Sequence, residues 1–319
     1  MSKKTIVWII LAASLILFGA IIFGGAMTMI NWNFKKLTTD KYEDKEFILS
    51  ESYKNISVKT NVSDVVLVPS DDGKVVCTER KNLKYSVSVK EEALVIELVD
   101  TRKWYDHIGI FFGSQKITLY IPEGEYGALT VKSSTGDVNI PKEFKFESVD
   151  IIQNTGDVTS YASVNGSVKI KATTGDVKLE CITAGSLDLS VSTGKITVND
   201  VNCAGNVKIN VTTGKTVMTN VNCASLKSNG NTGEISLSNV VATESFDIER
   251  STGDIKLDRC DAAEILIETD TGDVRGSLTS DKVFITETDT GSVNVPKSVT
   301  GGKCEITTDT GDIKITVVK

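Results

Sequence analysis

The sequence predicts an all-β protein, a single-stack β-solenoid of ten coils that follows one apolar helix. Three observations predict this fold. A Thr-Gly pair recurs ten times after residue 128, at intervals of 19 or 20 residues. Apolar residues, mostly branched, occupy fixed positions around each glycine. Residues 6–30 carry no charge, over a length sufficient to span a bilayer.

The apolar segment within residues 1–30 is interpreted as an N-terminal transmembrane anchor. A cleaved signal peptide is the alternative, although the apolar run is longer than a usual signal core. Lysines flank the span on both sides, two before it and three after it, so the distribution of positive charge gives little orientation. A single N-terminal signal-anchor favours export of the chain that is C-terminal to it. The polar residues 31–45 are predicted to be a linker.

Composition restricts the classes of function. Of the 319 residues, 24% are charged and only 6% are aromatic, and the net charge is −7. A core with so few rings must be thin and built from Val, Ile and Leu. The acidic balance argues against nucleic acid as a partner, since its binders carry basic patches. It also argues against a broad electrostatic hold on anionic lipid.

Residues 129–319 are predicted to form the solenoid, one coil for each glycine. Counted from that glycine, positions −7, −5, +2 and +4 are apolar, as at Leu187, Leu189, Ile196 and Val198 of the fourth coil. Spacing by two indicates a strand with one inward face. Each coil should therefore hold two short strands around a Thr-Gly turn. The glycines that mark coils one to ten are Gly136, Gly156, Gly175, Gly194, Gly214, Gly233, Gly253, Gly272, Gly291 and Gly311.

Residues 46–128 are predicted to be a β-rich cap on one end of the solenoid. Around Ser63, which takes the place of the glycine, Ile56, Val58, Val65 and Leu67 fit the repeat and indicate a degenerate first coil. Further strand-like runs with turn signals continue as far as residue 121. A stack of repeats needs capped ends to stay soluble.

These features resemble a known family. The N-terminal anchor, the coil at Ser63-Asp64-Val65, the Ile121-Pro122 step and the iterated [ST]-T-G-[DE]-[VI] turns resemble the bacterial "putative adhesin" domain of unknown function. The resemblance covers about residues 46–319. It implies a membrane-attached β-solenoid, related in some members to envelope-stress systems of the Lia type. It implies no catalytic residues.

Acidic residues cluster at the Thr-Gly turns. Most coils carry Asp just after the glycine, and the last three add Asp two residues before it. Asp favours tight turns, which is the plain interpretation. Stacked carboxylates could instead bind Ca²⁺ weakly, and no other cofactor is expected. The candidate ligands are Asp270, Asp273, Asp289, Asp309 and Asp312.

Two apolar segments are candidate contact sites. The aromatic run around the only histidine, His107, could cap the first coils or touch a membrane or protein partner. The last strand should leave the end of the stack open, so it could dock a partner or a second copy, unless flanking lysines discourage pairing. The candidate contact residues are Trp104, Tyr105, Phe111, Phe112, Ile315 and Val317.

Nothing in the sequence favours catalysis. No coil is long enough to wall a cleft, and no partner for His107 is apparent. The six cysteines form no C-x-x-C pair and are interpreted as small, mostly buried apolar residues. The sequence therefore predicts a membrane-tethered, non-enzymatic binding or scaffold protein outside the cytoplasm. An envelope-stress sensor acting through a membrane partner, or a self-assembling solenoid, is the alternative.

Overall fold

The computed structural model describes residues 2–33, 42–104 and 115–318. It contains helix α1, Lys3–Met29, followed by 25 strands. The strands before the repeats are β1 (Tyr42–Ile48), β2 (Asn55–Lys59), β3 (Ser63–Pro69), β4 (Lys74–Arg80), β5 (Leu83–Lys90), β6 (Ala93–Asp100) and β7 (Gln115–Ile121). The strands of coils one to five are β8 (Gly124–Thr135), β9 (Val138–Ile140), β10 (Phe144–Thr155), β11 (Val158–Ser160), β12 (Ser163–Thr174), β13 (Val177–Glu180), β14 (Thr183–Thr193), β15 (Ile196–Cys203) and β16 (Val207–Thr213). The remaining strands are β17 (Thr216–Thr232), β18 (Ile235–Thr252), β19 (Ile255–Cys260), β20 (Glu264–Thr271), β21 (Val274–Leu278), β22 (Lys282–Thr290), β23 (Val293–Asn294), β24 (Gly302–Thr310) and β25 (Ile313–Val317).

The solenoid stacks in parallel, with equivalent residues of successive coils in register. Ile170 pairs with Leu189, and Leu189 pairs with Ile209. Except in coil nine, the residues at the four predicted positions lie inside the stack. Ile170, Leu189 and Ile209 are fully buried. The predicted β-solenoid is confirmed. Branched apolar residues suit it because they pack against the same residue type one coil away.

Coils one to eight have a third inward-facing segment, which the sequence analysis missed. In the middle coils, positions +7 and +9 after the glycine are also buried, as at Val201, Cys203, Val221 and Cys223. The chain reaches this segment through a corner at position +6, whose residue has a left-handed backbone. The residues at this corner in coils three to seven are Cys181, Asp200, Asn220, Asn239 and Arg259. The prediction of two inward-facing strands per coil was therefore incomplete, because a third segment follows the corner at position +6.

The Thr-Gly corner depends on close contact between backbones. Gly194 has a φ of +147°, and a Cβ atom on it would lie 2.0 Å from the carbonyl oxygen of Gly175 in the preceding coil. The same glycine-on-glycine contact repeats at nearly every coil of the stack. Only glycine satisfies both the backbone conformation and the close approach. This double requirement explains the regular spacing of the Thr-Gly pairs.

The N-terminal cap continues the stack and then reverses the strand direction. β2 and β3 form a coil that pairs in parallel with β8 and β9 of coil one. β6 and β7 add another parallel layer on β2 and β3. β5 and β4 pair antiparallel to β6 and β7, and β1 pairs antiparallel to β4. The antiparallel layer ends the repeat at the end where the chain enters.

The last two coils exchange places in the stack. β24, from coil ten, pairs with β20 of coil eight on one side and with β22 of coil nine on the other. β25 lies in the same way between β21 and β23. Coil nine is therefore the end of the stack, and its residues at the predicted inward positions are only partly buried, with Val293 exposed. Coil ten, although last in the chain, is an interior coil.

A buried lysine fixes the corner where this crossover begins. Lys282 donates from its ammonium group to the carbonyl of Ala262 at 2.6 Å and to the hydroxyl of Ser280 at 2.8 Å. It also forms an ion pair with Asp261 at 2.7 Å. Burial raises the pKa of Asp261, but hydrogen bonds from Lys282 and Ser280 outweigh it, so the net pKa is lowered. The paired charges anchor the start of coil nine.

Candidate interaction surface

The aspartates that follow the Thr-Gly glycines form a hydrogen-bonded ladder. Asp137 Oδ1 accepts the backbone N–H of Asp157 at 2.8 Å. Asp157 Oδ1 accepts that of Asp176 at 2.7 Å, and Asp176 Oδ1 accepts that of Lys195 at 2.8 Å. Each carboxylate therefore accepts a hydrogen bond from a backbone N–H of the next coil. That N–H faces outward at a tight turn. The ladder starts at Asp64 of the degenerate coil.

A second ladder follows the exchanged coil order. Asp254 accepts from Asp273 at 3.2 Å, Asp273 from Asp312 at 2.7 Å, and Asp312 from Ser292 at 3.0 Å. The backbone N–H and hydroxyl of Ser292 lower the pKa of Asp312, and nearby Arg275 adds to this effect. The geometry gives these aspartates a role in joining neighbouring turns.

The five candidate Ca²⁺ ligands are not gathered into one site. Asp270, Asp289 and Asp309 are exposed ahead of their glycines, whereas Asp273 and Asp312 belong to the ladder. Arg275 lies 2.6 Å from Asp273 and 3.5 Å from Asp312. In the part of the chain that the structure describes, no group of three or more His, Cys, Asp or Glu side chains is arranged to hold a metal ion. Calcium binding stays a prediction, and the ladder does not require it.

Removing one rung of the ladder should cost little. We expect Asp176→Ala to lower the free energy of unfolding by about 1 kcal/mol, because one backbone N–H loses a charged acceptor at a partly hydrated turn. Asp176→Asn keeps an acceptor oxygen and should lose less. Urea unfolding of both variants measures the difference. An Asn variant as damaged as the Ala variant would contradict the role of the acceptor.

The predicted contact residues lie in three different places. Trp104 is 78% exposed, which agrees with a contact role. Tyr105, Phe111 and Phe112 lie outside the described residues. Ile315 is only 2% exposed, because its strand β25 pairs with β21 and begins against β23. The prediction that Ile315 and Val317 form an open end was wrong, since coil nine lies at that end.

The cysteines fit their predicted role as small core residues. Five are buried and Cys181 is exposed. Burial raises the pKa of Cys77, Cys223 and Cys304 to about 12. High pKa values keep these thiols protonated and unreactive.

A charge pattern runs along one outer face of the solenoid, and the sequence analysis missed it. We call this the upstream face, and it consists of positions −8, −6 and −4 before each glycine. Over the first seven coils, from the degenerate coil to coil six, it carries six lysines and two aspartates. Over the remaining four it carries six acids and one lysine. The charged residues in sequence order are Lys59, Lys132, Asp150, Lys169, Lys171, Asp188, Lys208, Lys227, Asp247, Glu249, Glu264, Glu268, Glu287, Lys303 and Glu305.

The acidic half of the upstream face also holds a shallow depression. Its volume is about 220 Å³, and its lining includes Asp247, Glu264, Leu266 and an ion pair between Lys303 and Glu305. Ile285 on the same face is 50% exposed. The depression thus combines acidic rims with apolar surface. The signs of the charges at positions −8, −6 and −4 are visible in the sequence, but the order of the last two coils along the stack comes from the structure.

The comparisons with known proteins concern the solenoid. A structure from Parabacteroides merdae ATCC 43184, described as a "putative adhesin", is 13% identical over 75% of this chain and 97% of its own, with a TM-score of 0.49. One from Bacteroides fragilis NCTC 9343, also a "putative adhesin", is 17% identical over 86% and 97%, with a TM-score of 0.43. A "putative lipid binding protein" from Parabacteroides distasonis ATCC 8503 is 16% identical over 88% and 98%, with a TM-score of 0.45.

No curated protein matches the chain. The family model described as Toastrack DUF4097 matches residues 53–210 and 185–319, which together take in the cap from β2 onward and all ten coils. The chain therefore belongs to the Toastrack DUF4097 family.

Proposed function

We propose that this protein is a membrane-tethered, non-enzymatic binding or scaffold protein whose solenoid lies outside the cytoplasm. The observation that carries the proposal is helix α1. It is long and apolar enough to cross a membrane, and the 18-residue apolar window within it makes no burying contact with the rest of the chain. An apolar helix with this much exposed surface suits a lipid environment. The same length and composition would also suit a signal sequence.

The arrangement of the solenoid supports a binding role. The chain enters the stack at the cap through β1, which begins at Tyr42 and so overlaps the predicted linker at residues 31–45, and ten coils continue from there. The outward positions carry patterned charge, and the depression described above on the upstream face is shallow. Such a surface suits recognition of an extended partner more than conversion of a small substrate. A self-assembling solenoid is the second candidate, and the charge pattern favours it.

Labelling of Cys181 on intact cells tests the compartment. Cys181 is the exposed thiol at a corner of coil three, while the other five thiols are buried. A membrane-impermeant maleimide should label the full chain on intact cells. Cys181→Ser should abolish the labelling and serves as the matched control.

Two results would contradict the proposal. Labelling that appears only after the cells are lysed would place the solenoid in the cytoplasm. Release of the chain from the membrane by alkaline carbonate would show that α1 does not anchor it.

A further inference from the structure

We propose that two copies of this chain pair antiparallel through their upstream faces, with the lysine-bearing half of each copy against the acidic half of the other. The partner is inferred from the charge pattern of one chain. A two-fold axis near the change of sign, between Lys227 and Asp247, brings coil three of one copy close to coils nine and ten of the other. Isologous contact of this kind is the commonest symmetry of soluble homodimers.

The charges on this face are unfavourable to an isolated solenoid. Glu249 pairs in register with Glu268 on the neighbouring coil. Lys208 likewise pairs in register with Lys227, although Asp188 lies beside Lys208 and Asp247 forms an ion pair with Lys227. Like charges directly opposite each other on neighbouring strands are destabilising. Elsewhere the same face alternates in sign, as at Asp150, where Lys169 is the neighbour in register. A surface of positive charge would relieve the repulsion between Glu249 and Glu268.

The upstream face is large enough for a stable interface. Pairing that extends from coil three to the end of the stack covers eight coils, about 38 Å at ~4.8 Å per coil. Strands of about seven residues make the face roughly 23 Å wide at ~3.3 Å per residue. The product, about 800 to 900 Å² per copy, matches a standard protein–protein interface.

The centre and the rim of the face also suit this pairing. The middle coils carry Ser190, Asn210 and Asn229, which are small and neutral, so two copies can approach closely there. Towards the end of the stack, Ile285 is exposed and gives apolar contact area among the charges. In the depression, Asp247 and Glu305 have lysine partners within the chain, so Glu264 is the carboxylate that can receive a lysine side chain from the second copy. Electrostatic complementarity would then set the register of the pair.

The antiparallel arrangement has a consequence that rests on the proposed function. The two N-terminal helices lie at opposite ends of the pair, because each chain enters its stack at the cap. Two copies anchored by these helices would therefore join two facing membrane surfaces. The pairing itself does not depend on the anchor, so it can be tested in detergent whichever compartment the solenoid occupies.

Sedimentation of the full chain in detergent tests the pairing. Dimers should form in low salt, and their affinity should weaken about tenfold or more towards 1 M salt, where the Debye length falls to about 3 Å.

The triple variant Lys169→Glu, Lys171→Glu, Lys208→Glu should be monomeric, and so should Glu249→Lys, Glu268→Lys, Glu287→Lys. A mixture of these two triple variants should form heterodimers. Formation of the heterodimers would show that both variants remain folded. A control of equal charge change, Lys195→Glu, Lys215→Glu, Lys314→Glu, lies on another face and should still dimerise.

Carbodiimide crosslinking tests the orientation. It joins amines to carboxylates in contact, and Lys227 with Asp247 inside one chain is a built-in positive control. Lys171 and Glu268 are five coils apart in one chain, about 24 Å, so a link between them must join two copies. Links from Lys169 or Lys171 to Glu268 or Glu287 are the expected result. A monomer in low salt, or triple variants that do not recombine, would overturn the proposal, and dimers without these links would overturn the antiparallel orientation.

Discussion

Replacing Gly194 with alanine should destabilise the solenoid by more than about 4 kcal/mol. Two costs combine at this position. Its φ of +147° is a conformation that residues with a side chain rarely adopt. In addition, the new Cβ would lie 2.0 Å from the carbonyl oxygen of Gly175, which is itself fixed in the stack. Because backbone meets backbone, no side chain can move aside to relieve the clash. Urea unfolding followed by circular dichroism measures the loss.

Gly124 provides a matched control for this prediction. Its φ is +150°, close to that of Gly194, but a Cβ atom on it would meet nothing within 4 Å. Gly124→Ala therefore carries the conformational cost without the clash and should lose only about 1 to 2 kcal/mol. Equal losses from the two variants would show that backbone conformation alone, and not stacking of one corner on the next, explains the repeated glycines.

The sequence alone was enough to predict the solenoid and its main inward positions. Leu187 and Leu189, with their equivalents, recur so regularly that only a stack in register can bury them all. The third segment, with Val201 and Cys203, was missed because a left-handed residue at Asp200 interrupts the alternation. The alternation of apolar and polar residues does not indicate that the chain turns at Asp200 and that a further inward-facing segment follows.

The exchange of coils nine and ten could not be predicted from the repeat. Every coil offers the same backbone edge and the same register, so a strand from coil ten fits beside coil eight as well as one from coil nine would. Only weaker signals distinguish coil nine, such as Thr286 at a position that is usually apolar. The buried Lys282 and its partner Asp261, 2.7 Å apart, give the crossover a defined start, but their pairing is a long-range contact.

The candidate surface was missed for a different physical reason. Inward positions are restricted by packing, so their pattern is visible in one sequence. Outward positions tolerate almost any polar residue, and Lys171 or Glu268 means little by itself. Their signs become informative only when the coils are placed in order along the stack. The structure supplies that order, including the exchanged last coils.

Replacing Leu189 with aspartate should unfold the stack around coil four and spread to its neighbours. Leu189 is fully buried between Ile170 and Ile209, which lie in register on the two adjacent coils. A carboxylate there would be surrounded by hydrocarbon, and an unpaired buried charge costs several kcal/mol. Burial raises the pKa of such a carboxyl, so protonation offers partial relief. The loss should therefore shrink as the pH falls, a dependence that urea unfolding at several pH values can measure.

Ser190 gives the matched control, because it is the next residue and faces outward. Ser190→Asp adds the same charge to the same strand, where water can solvate it. We expect it to change the free energy of unfolding by less than about 1 kcal/mol. The contrast follows from the alternation of a strand, in which neighbouring side chains point to opposite faces. If Ser190→Asp proved as damaging as Leu189→Asp, the assignment of inward positions would fail, and with it the stacking that places the charges of the upstream face in order.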